Sequence, residues 1–438
     1  MTLQEPVLVV VGGGAAGLAA AVEAARWQPG RVLVLDQSPL LSVATCGLPY
    51  LVGGQIPDPQ KLILHSPQEL EERGLRLLTQ CRLESLDLSN QRLLYRDLAR
   101  GQSLSLPFQN LLLTPGGRFD FPGGHLKNVL APRDLVSSLQ ARAWLSRPEC
   151  RRVLVVGAGY LGLELAEAVR FAGKQVTLVD PCKRILGLTE PLHDSVLREL
   201  ARHGVEWRQH KLVAWEGEAL ARRALLGDGS ALDLDLALLA TGVSPRHPLL
   251  EGLPLERGPS GGLRVDRQGR TSRARILAAG DCCEIPARQG ARPVYLPLAR
   301  PAALLGQAAG AAAVGQVRLF AGSVPCASVK VFDLEVGWVG ELGEGTRYLS
   351  DGPLRAGYWS EPGRLQLCLE FCPRSQKLQG AQAVASGEVT SLLQTLALAI
   401  DQGLNFEDLT RLDHPYTPPL SGMWAGIART ARSSKRWA

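Results

Sequence analysis

Apolar runs broken by glycine open the chain and return in its second quarter. In VLVVVGGGAAGLAAAVEAA the apolar start, the glycines and the alanine-rich continuation predict a strand, a tight turn and a helix. RVLVLD then predicts a second strand ending at Asp36. RRVLVVGAGYLGLELAEAVRFAGKQVTLVD repeats the whole pattern and ends its second strand at Asp180. LALLATGVSP and RILAAGDCCEIP read as further strands closing on small-residue turns, at Gly242 and at Gly280-Asp281. From about residue 325 the pattern changes: no glycine-rich turn follows, and strand-like RLQLCLEF alternates with the helical stretch SLLQTLALAIDQG.

The glycine spacing carries chemistry. Gly12, Gly14 and Gly17 satisfy G-x-G-x-x-G, in which the first glycine permits the turn, the second lets a pyrophosphate approach the backbone and the third lets helix pack on strand. The helix N-terminus then meets the phosphates. Asp36 stands where an acidic side chain binds the ribose of an adenine nucleotide. Gly157, Gly159, Gly162 and Asp180 repeat this set, so the chain is expected to hold two dinucleotides, a flavin and a nicotinamide. Asp180 favours the free ribose of NADH, whereas Lys183 and Arg184 offer charge for the extra phosphate of NADPH.

At 438 residues the chain exceeds one ordinary domain. Its net charge of +6 is spread out, with only a short basic tail, ARSSKRWA, which suits small anionic ligands better than nucleic acid. No stretch of about twenty apolar residues runs free of glycine or charge, so no membrane span is expected. Residues 7 to 22 resemble a signal-peptide core, yet no basic segment precedes them and the glycine turn accounts for them, so they read as mature protein. Nine cysteines without an export signal imply reduced thiols and a cytoplasmic location. Neither Cys282-Cys283 nor Cys368 with Cys372 has zinc-site spacing, and no metal is expected.

With both glycine motifs and the A-x-G-D strand in place, the chain resembles the flavoprotein disulfide reductases with two dinucleotide-binding domains. The resemblance implies an α/β fold: a Rossmann-like FAD domain (1–117 and 246–322), a Rossmann-like NAD(P)H domain (118–245) and an α+β dimerisation domain (323–438). For FAD it implies Gly12, Gly14, Gly17, Asp36 and Asp281, and for NAD(P)H Gly157, Gly159, Gly162 and Glu164. Ala15, Thr114, Gly116, Gly280, Leu298, Ala299, Asp180 and Gly242 complete the implied cofactor-binding set.

Within SVATCGLPY, Cys46 lacks a second cysteine a few residues on, and the stretch is similar to the single-cysteine branch: coenzyme A disulfide and persulfide reductases, NADH oxidases and peroxidases. VFDLEVGWVG, YLPLARPA and YTPPLS resemble the same branch. A cysteine at a helix start, against a flavin, is expected to have its thiolate favoured by the helix dipole and exposed N–H groups. The other eight are expected to be buried and inert. The resemblance implies that electrons pass from NAD(P)H through FAD to a sulfur on Cys46: a mixed disulfide, a persulfide or a sulfenic acid. It also implies a homodimer in which Tyr416, and with it Tyr358, stands near the substrate thiol, while His414 receives no role.

The acceptor stays open at this level. Gly14-Ala15-Ala16 lacks the histidine common in peroxide- and oxygen-using members, which favours a disulfide or persulfide substrate. Along the first helix only Arg26 remains where coenzyme A-binding relatives carry several arginines, and His65 with Arg26 is a reduced candidate anion site. Pro115, Met423 and Trp424 depart from the family pattern, the last two at the expected substrate entrance. A NADH oxidase or peroxidase, or a flavoprotein subunit with altered catalysis in sulfur metabolism, is the alternative.

Overall fold

The strands around both glycine turns carry little but Val and Leu because each is covered on both faces. The computed structural model describes residues 5–120, 122–288, 292–424, 426–433 and 436–437. Six helices position the candidate site: α1 (Ala15–Ala25), α2 (Leu48–Gly53), α3 (Leu135–Leu145), α4 (Tyr160–Phe171), α5 (Ala299–Ala313) and α6 (Val389–Asp401). The chain divides into two compact units, one of Met1–Thr45, Asp58–Asp120 and Gly242–Ser323, the other of Cys46–Pro57, Phe121–Thr241 and Val324–Ala438.

Among the described residues of the first unit, a parallel five-stranded sheet runs in the order Ile276–Ala278, Asn110–Leu113, Leu8–Val11, Val32–Leu35, Leu75–Leu78. Leu8 pairs with Val32 on one side and Asn110 on the other. Helices α1 and α5 meet along a seam of small residues. A Cβ on Gly306 would stand 2.2 Å from the Ala16 carbonyl oxygen, and one on Gly310 2.1 Å from that of Ala20. The matching four-residue steps make the helices parallel there, with α5 beginning before the level at which α1 starts. An antiparallel meander of Cys81–Asp87, Arg92–Asp97 and Gln102–Pro107 completes this part.

In the second unit the same kind of sheet recurs: Val205–Arg208, Gln175–Val179, Arg152–Val156, Leu236–Leu239 and Val129–Leu130, all parallel. The pattern change beyond 325 corresponds to an antiparallel sheet of Cys326–Val331, Leu334–Gly340, Leu378–Ala385, Leu365–Phe371, Thr346–Gly352 and Arg436–Trp437. Helix α6 buries Val389, Leu393 and Leu396 in the core of that sheet. Both parallel sheets flanked by helices give the α/β, Rossmann-like fold expected from the sequence.

Helix α2 joins the second unit although the segments flanking it belong to the first. Its Leu48, Leu51 and Val52 are buried, and Gly53 faces α4 so closely that a Cβ there would lie 2.8 Å from Ala168 Cα. An Arg142 guanidinium N–H of α3 donates to the Pro57 carbonyl at 2.9 Å just beyond it. Among the described residues no helix is long and apolar enough to cross a membrane.

The α1–α5 seam leaves no room for a methyl group. Replacing Gly306 with Ala is expected to lower stability by about 1–3 kcal/mol through overpacking, read as a fall in the midpoint of thermal unfolding; an unchanged midpoint would show that the helices separate freely.

Candidate active site

The first glycine turn is shaped by what it lacks. Gly12 takes φ +107°, a left-handed conformation that glycine tolerates, and a Cβ there would stand 2.1 Å from the Thr114 carbonyl oxygen. A Cβ on Gly17 would come within 1.8 Å of the Gly12 oxygen, so α1 sits directly on the turn. Gly14 caps α1 with no side-chain hydrogen bond, and a Cβ there would meet nothing within 4 Å. Open space thus faces the bare N–H groups of an eleven-residue helix, an arrangement that receives phosphate.

Asp36 accepts from the Gly13 N–H at 2.5 Å and from the Ser38 N–H at 2.7 Å. Burial pushes its pKa above the usual carboxylate value and the two N–H bonds push back. The Thr114 hydroxyl lies 2.9 Å from the carbonyls of both Val11 and Gly12, and Gly116 turns the chain away at φ +81°. Gly280, also at φ +81°, lies against the start of α1, where a Cβ would stand 3.1 Å from Ala16 Cβ. Asp281 follows it, half-buried. Leu298 caps α5 without a side-chain bond and Ala299 begins the helix, so a second bare N-terminus opens beside the first.

The second turn repeats this stereochemistry. Gly157 takes φ +104° against the Ala240 carbonyl, and a Cβ on Gly162 would stand 1.7 Å from the Gly157 oxygen. Gly159 caps α4 without a side-chain bond and faces open space. Asp180 accepts from the N–H groups of Ala158 at 2.8 Å and Cys182 at 2.7 Å, as Asp36 does from Gly13 and Ser38. Gly242 follows the strand Leu236–Leu239 and takes φ +86°. Lys183 and Arg184 are exposed beyond Asp180. Both cradles fit the dinucleotides.

Cys46 is exposed in a single 3-10 turn, Thr45–Gly47, immediately before α2. The expected lowering of its pKa is corrected here: partial desolvation, followed by the Glu164 carboxylate, pushes the thiol above its usual value. Helix α2 is six residues long, too short to outweigh them. Glu164, in α4, is itself pushed up to about 7 by burial, and accepts a hydrogen bond of 3.4 Å from the Tyr50 hydroxyl. Burial and the Glu164 charge raise Tyr50 to about 12, so it stays a neutral donor. Burial also raises Tyr160, which follows Gly159, to about 12; its hydroxyl accepts from the Trp338 indole N–H. Tyr50, Tyr160 and Trp338 were not singled out from the sequence, although each lies within a quoted motif.

A model of the pyridine nucleotide-disulphide oxidoreductase family matches residues 6–303. The chain belongs to that family. It is an oxidoreductase of the kind that carries FAD and uses NAD(P)H. It is 28% identical over 446 residues, covering 98% of both chains, to the NAD(P)H coenzyme A polysulfide/persulfide reductase of Pyrococcus horikoshii. It is 26% identical to the NADH oxidase of Enterococcus faecalis over 95% of this chain and 96% of that one. The solved NAD-dependent persulfide reductase from A. fulgidus superposes with a TM-score of 0.91 at 26% identity, over 97% of this chain and 82% of that one.

Against this family background, the remaining candidates sort by contact. The hydroxyls of Tyr358 and Tyr416 lie 2.8 Å apart on an exposed surface, and that bond raises the pKa of Tyr358. His414 Nε2 is spent on the Gly422 carbonyl at 3.2 Å. Arg26 pairs with Glu23 at 3.0 Å, whereas His65 Nδ1 lies 3.5 Å from the guanidinium of Arg73, so of the two candidates Arg26 is the one paired with an acidic side chain here. The expectation that eight cysteines are buried holds for Cys81, Cys150, Cys282, Cys283 and Cys368; it fails for Cys182 and Cys326, which are exposed, and for half-buried Cys372. Cys182 surfaces because it forms the turn that hands its N–H to Asp180.

Glu164 gives a pH test independent of catalysis. Its folded pKa of about 7 exceeds the ordinary 4.5, so its contribution is fully present below 4.5 and lost as pH rises through about 7. Glu164→Gln is therefore expected to match the native protein in thermal unfolding at about pH 4 and to exceed it at about pH 8 by about 1–2 kcal/mol, allowing for partial screening. A variant no more stable than the native protein at the higher pH would contradict the burial of the charge.

Proposed function

We infer that this oxidoreductase passes electrons from NAD(P)H to a disulfide or persulfide of the coenzyme A type through the single sulfur of Cys46. The observation that carries the reading is the exposed Cys46 on a turn whose helix, α2, packs on the helix of the second glycine turn. The likeness to the P. horikoshii coenzyme A polysulfide/persulfide reductase over 98% of both chains supports the substrate class.

The division into an FAD domain (1–117, 246–322), an NAD(P)H domain (118–245) and a dimerisation domain (323–438) belongs to the same proposal. Gly12, Gly14, Ala15, Gly17, Asp36, Thr114, Gly116, Gly280, Asp281, Leu298 and Ala299 would hold FAD. Gly157, Gly159, Gly162, Glu164, Asp180 and Gly242 would hold the nicotinamide nucleotide, with NADH favoured by the carboxylate of Asp180. Bound flavin supplies a two-electron relay between nicotinamide and sulfur.

What remains belongs to side chains. Cys46 attacks the substrate disulfide and holds one half as a mixed disulfide, so no second protein thiol is needed. Tyr358 and Tyr416 hydrogen-bond the departing thiolate. They do so across a homodimer interface, and the exposed Trp359, Leu420, Met423 and Trp424 beside them supply the apolar surface for it. Reduced exposed thiols suit the cytoplasm.

A second reading, NADH oxidase, is favoured by the likeness to the E. faecalis enzyme and opposed by the absence of histidine from Gly14-Ala15-Ala16. The test is anaerobic NADH and NADPH consumption with coenzyme A disulfide or a coenzyme A persulfide, set against oxygen and peroxide. Sulfur-dependent turnover is expected, and Cys46→Ser should retain flavin while losing turnover by about 100-fold or more, the scale of a missing catalytic group. Unchanged turnover in the Ser variant would overturn the assignment; turnover with oxygen alone would favour the oxidase.

A further inference from the structure

Cys46 and Glu164 carry like charges when ionised, and the fold sets them on packed neighbours. Cys46 lies in the turn Thr45–Gly47 that leads into α2, four residues before Tyr50. Tyr50 reaches Glu164 of α4 at 3.4 Å, and the Gly53–Ala168 contact fixes the two helices. The groups acting on Glu164 are Tyr50 and, from its own helix, Glu167. Lys330, on the strand Cys326–Val331, lies 2.5 Å from Glu167, and Arg142 of α3 is bonded to the Pro57 carbonyl. After desolvation, the Glu164 charge is what acts most on the Cys46 thiol.

We propose that Glu164, held by Tyr50, is a positioning residue that governs when Cys46 gives up its proton: charged, it keeps the sulfur a thiol; neutral, it lets the thiolate form. The proton goes to solvent, to which Cys46 is exposed. No electrons move in this step. A nucleotide or substrate whose binding neutralises Glu164 thereby switches on the nucleophile, which couples occupancy of the second glycine turn to reactivity at the first step of thiol exchange. This rests on the reading of Cys46 as the redox sulfur.

The experiment is the pH dependence of Cys46 alkylation by iodoacetamide in the FAD-loaded, reduced and desalted protein without nicotinamide. Labelling is followed on the Cys46 peptide by mass spectrometry, because Cys182 and Cys326 are also exposed. In Glu164→Gln the inflection should fall, raising the rate at pH 8 by about three- to tenfold, the gain in thiolate from a shift of half to one pH unit. Tyr50→Phe removes a bond that favours the carboxylate anion, so it should move the rate the same way by less. Glu164→Asp keeps the charge and should keep the high inflection.

A Gln profile that superposes on the native one would overturn the proposal, since a residue that only binds nicotinamide leaves this readout unmoved. If the Gln variant fails to retain flavin, an unmoved Tyr50→Phe profile overturns it equally. Neither result touches the parent reading, which fails only if Cys46→Ser retains sulfur-dependent turnover.

Discussion

The missing side chain at Gly53 sets how closely α2, the helix that follows Cys46, lies on α4. It lets α2 lie against Ala168 of α4, where Tyr50 bonds Glu164, and the turn that bears Cys46 leads directly into this packed helix. A residue that follows the first two strands of the first sheet in sequence is thereby carried by the unit that holds the second. The electrostatics of the thiol follow from this seat: partial desolvation and a neighbouring carboxylate, rather than a helix dipole, set its proton affinity.

The two dinucleotide turns rest on the same device at smaller scale. In each, the third glycine lies on the carbonyl of the first, and the aspartate at the end of the next strand, 23 positions on in the first turn and 22 in the second, accepts one N–H from the glycine loop and one from its own turn. Side chains are excluded so that backbone donors face open space. The first unit adds a second bare helix end at Leu298-Ala299, brought beside α1 by the glycines of the α1–α5 seam.

Such features were legible in the sequence because they consist of absences at fixed spacing. Gly12, Gly14, Gly17 and their counterparts, with Asp36 and Asp180, could be placed on turns and strand ends from the pattern alone. Contacts between distant residues could not: Tyr50 meets Glu164 114 positions away, and Tyr358 meets Tyr416 58 positions away. The direction of the Cys46 shift depends on burial and on Glu164, neither of which is written locally around SVATCGLPY. Exposure of Cys182 likewise follows from the turn at Asp180 and not from the usual habit of cysteine.

The claim that matters most is that substrate sulfur leaves its partner for Cys46. Incubating the FAD-loaded protein with coenzyme A disulfide, quenching with acid and mapping the peptides locates the adduct. A coenzyme A mixed disulfide on Cys46, released on adding NADH, is the predicted result; an adduct confined to Cys182 or Cys326, or one that NADH leaves in place, would contradict the account.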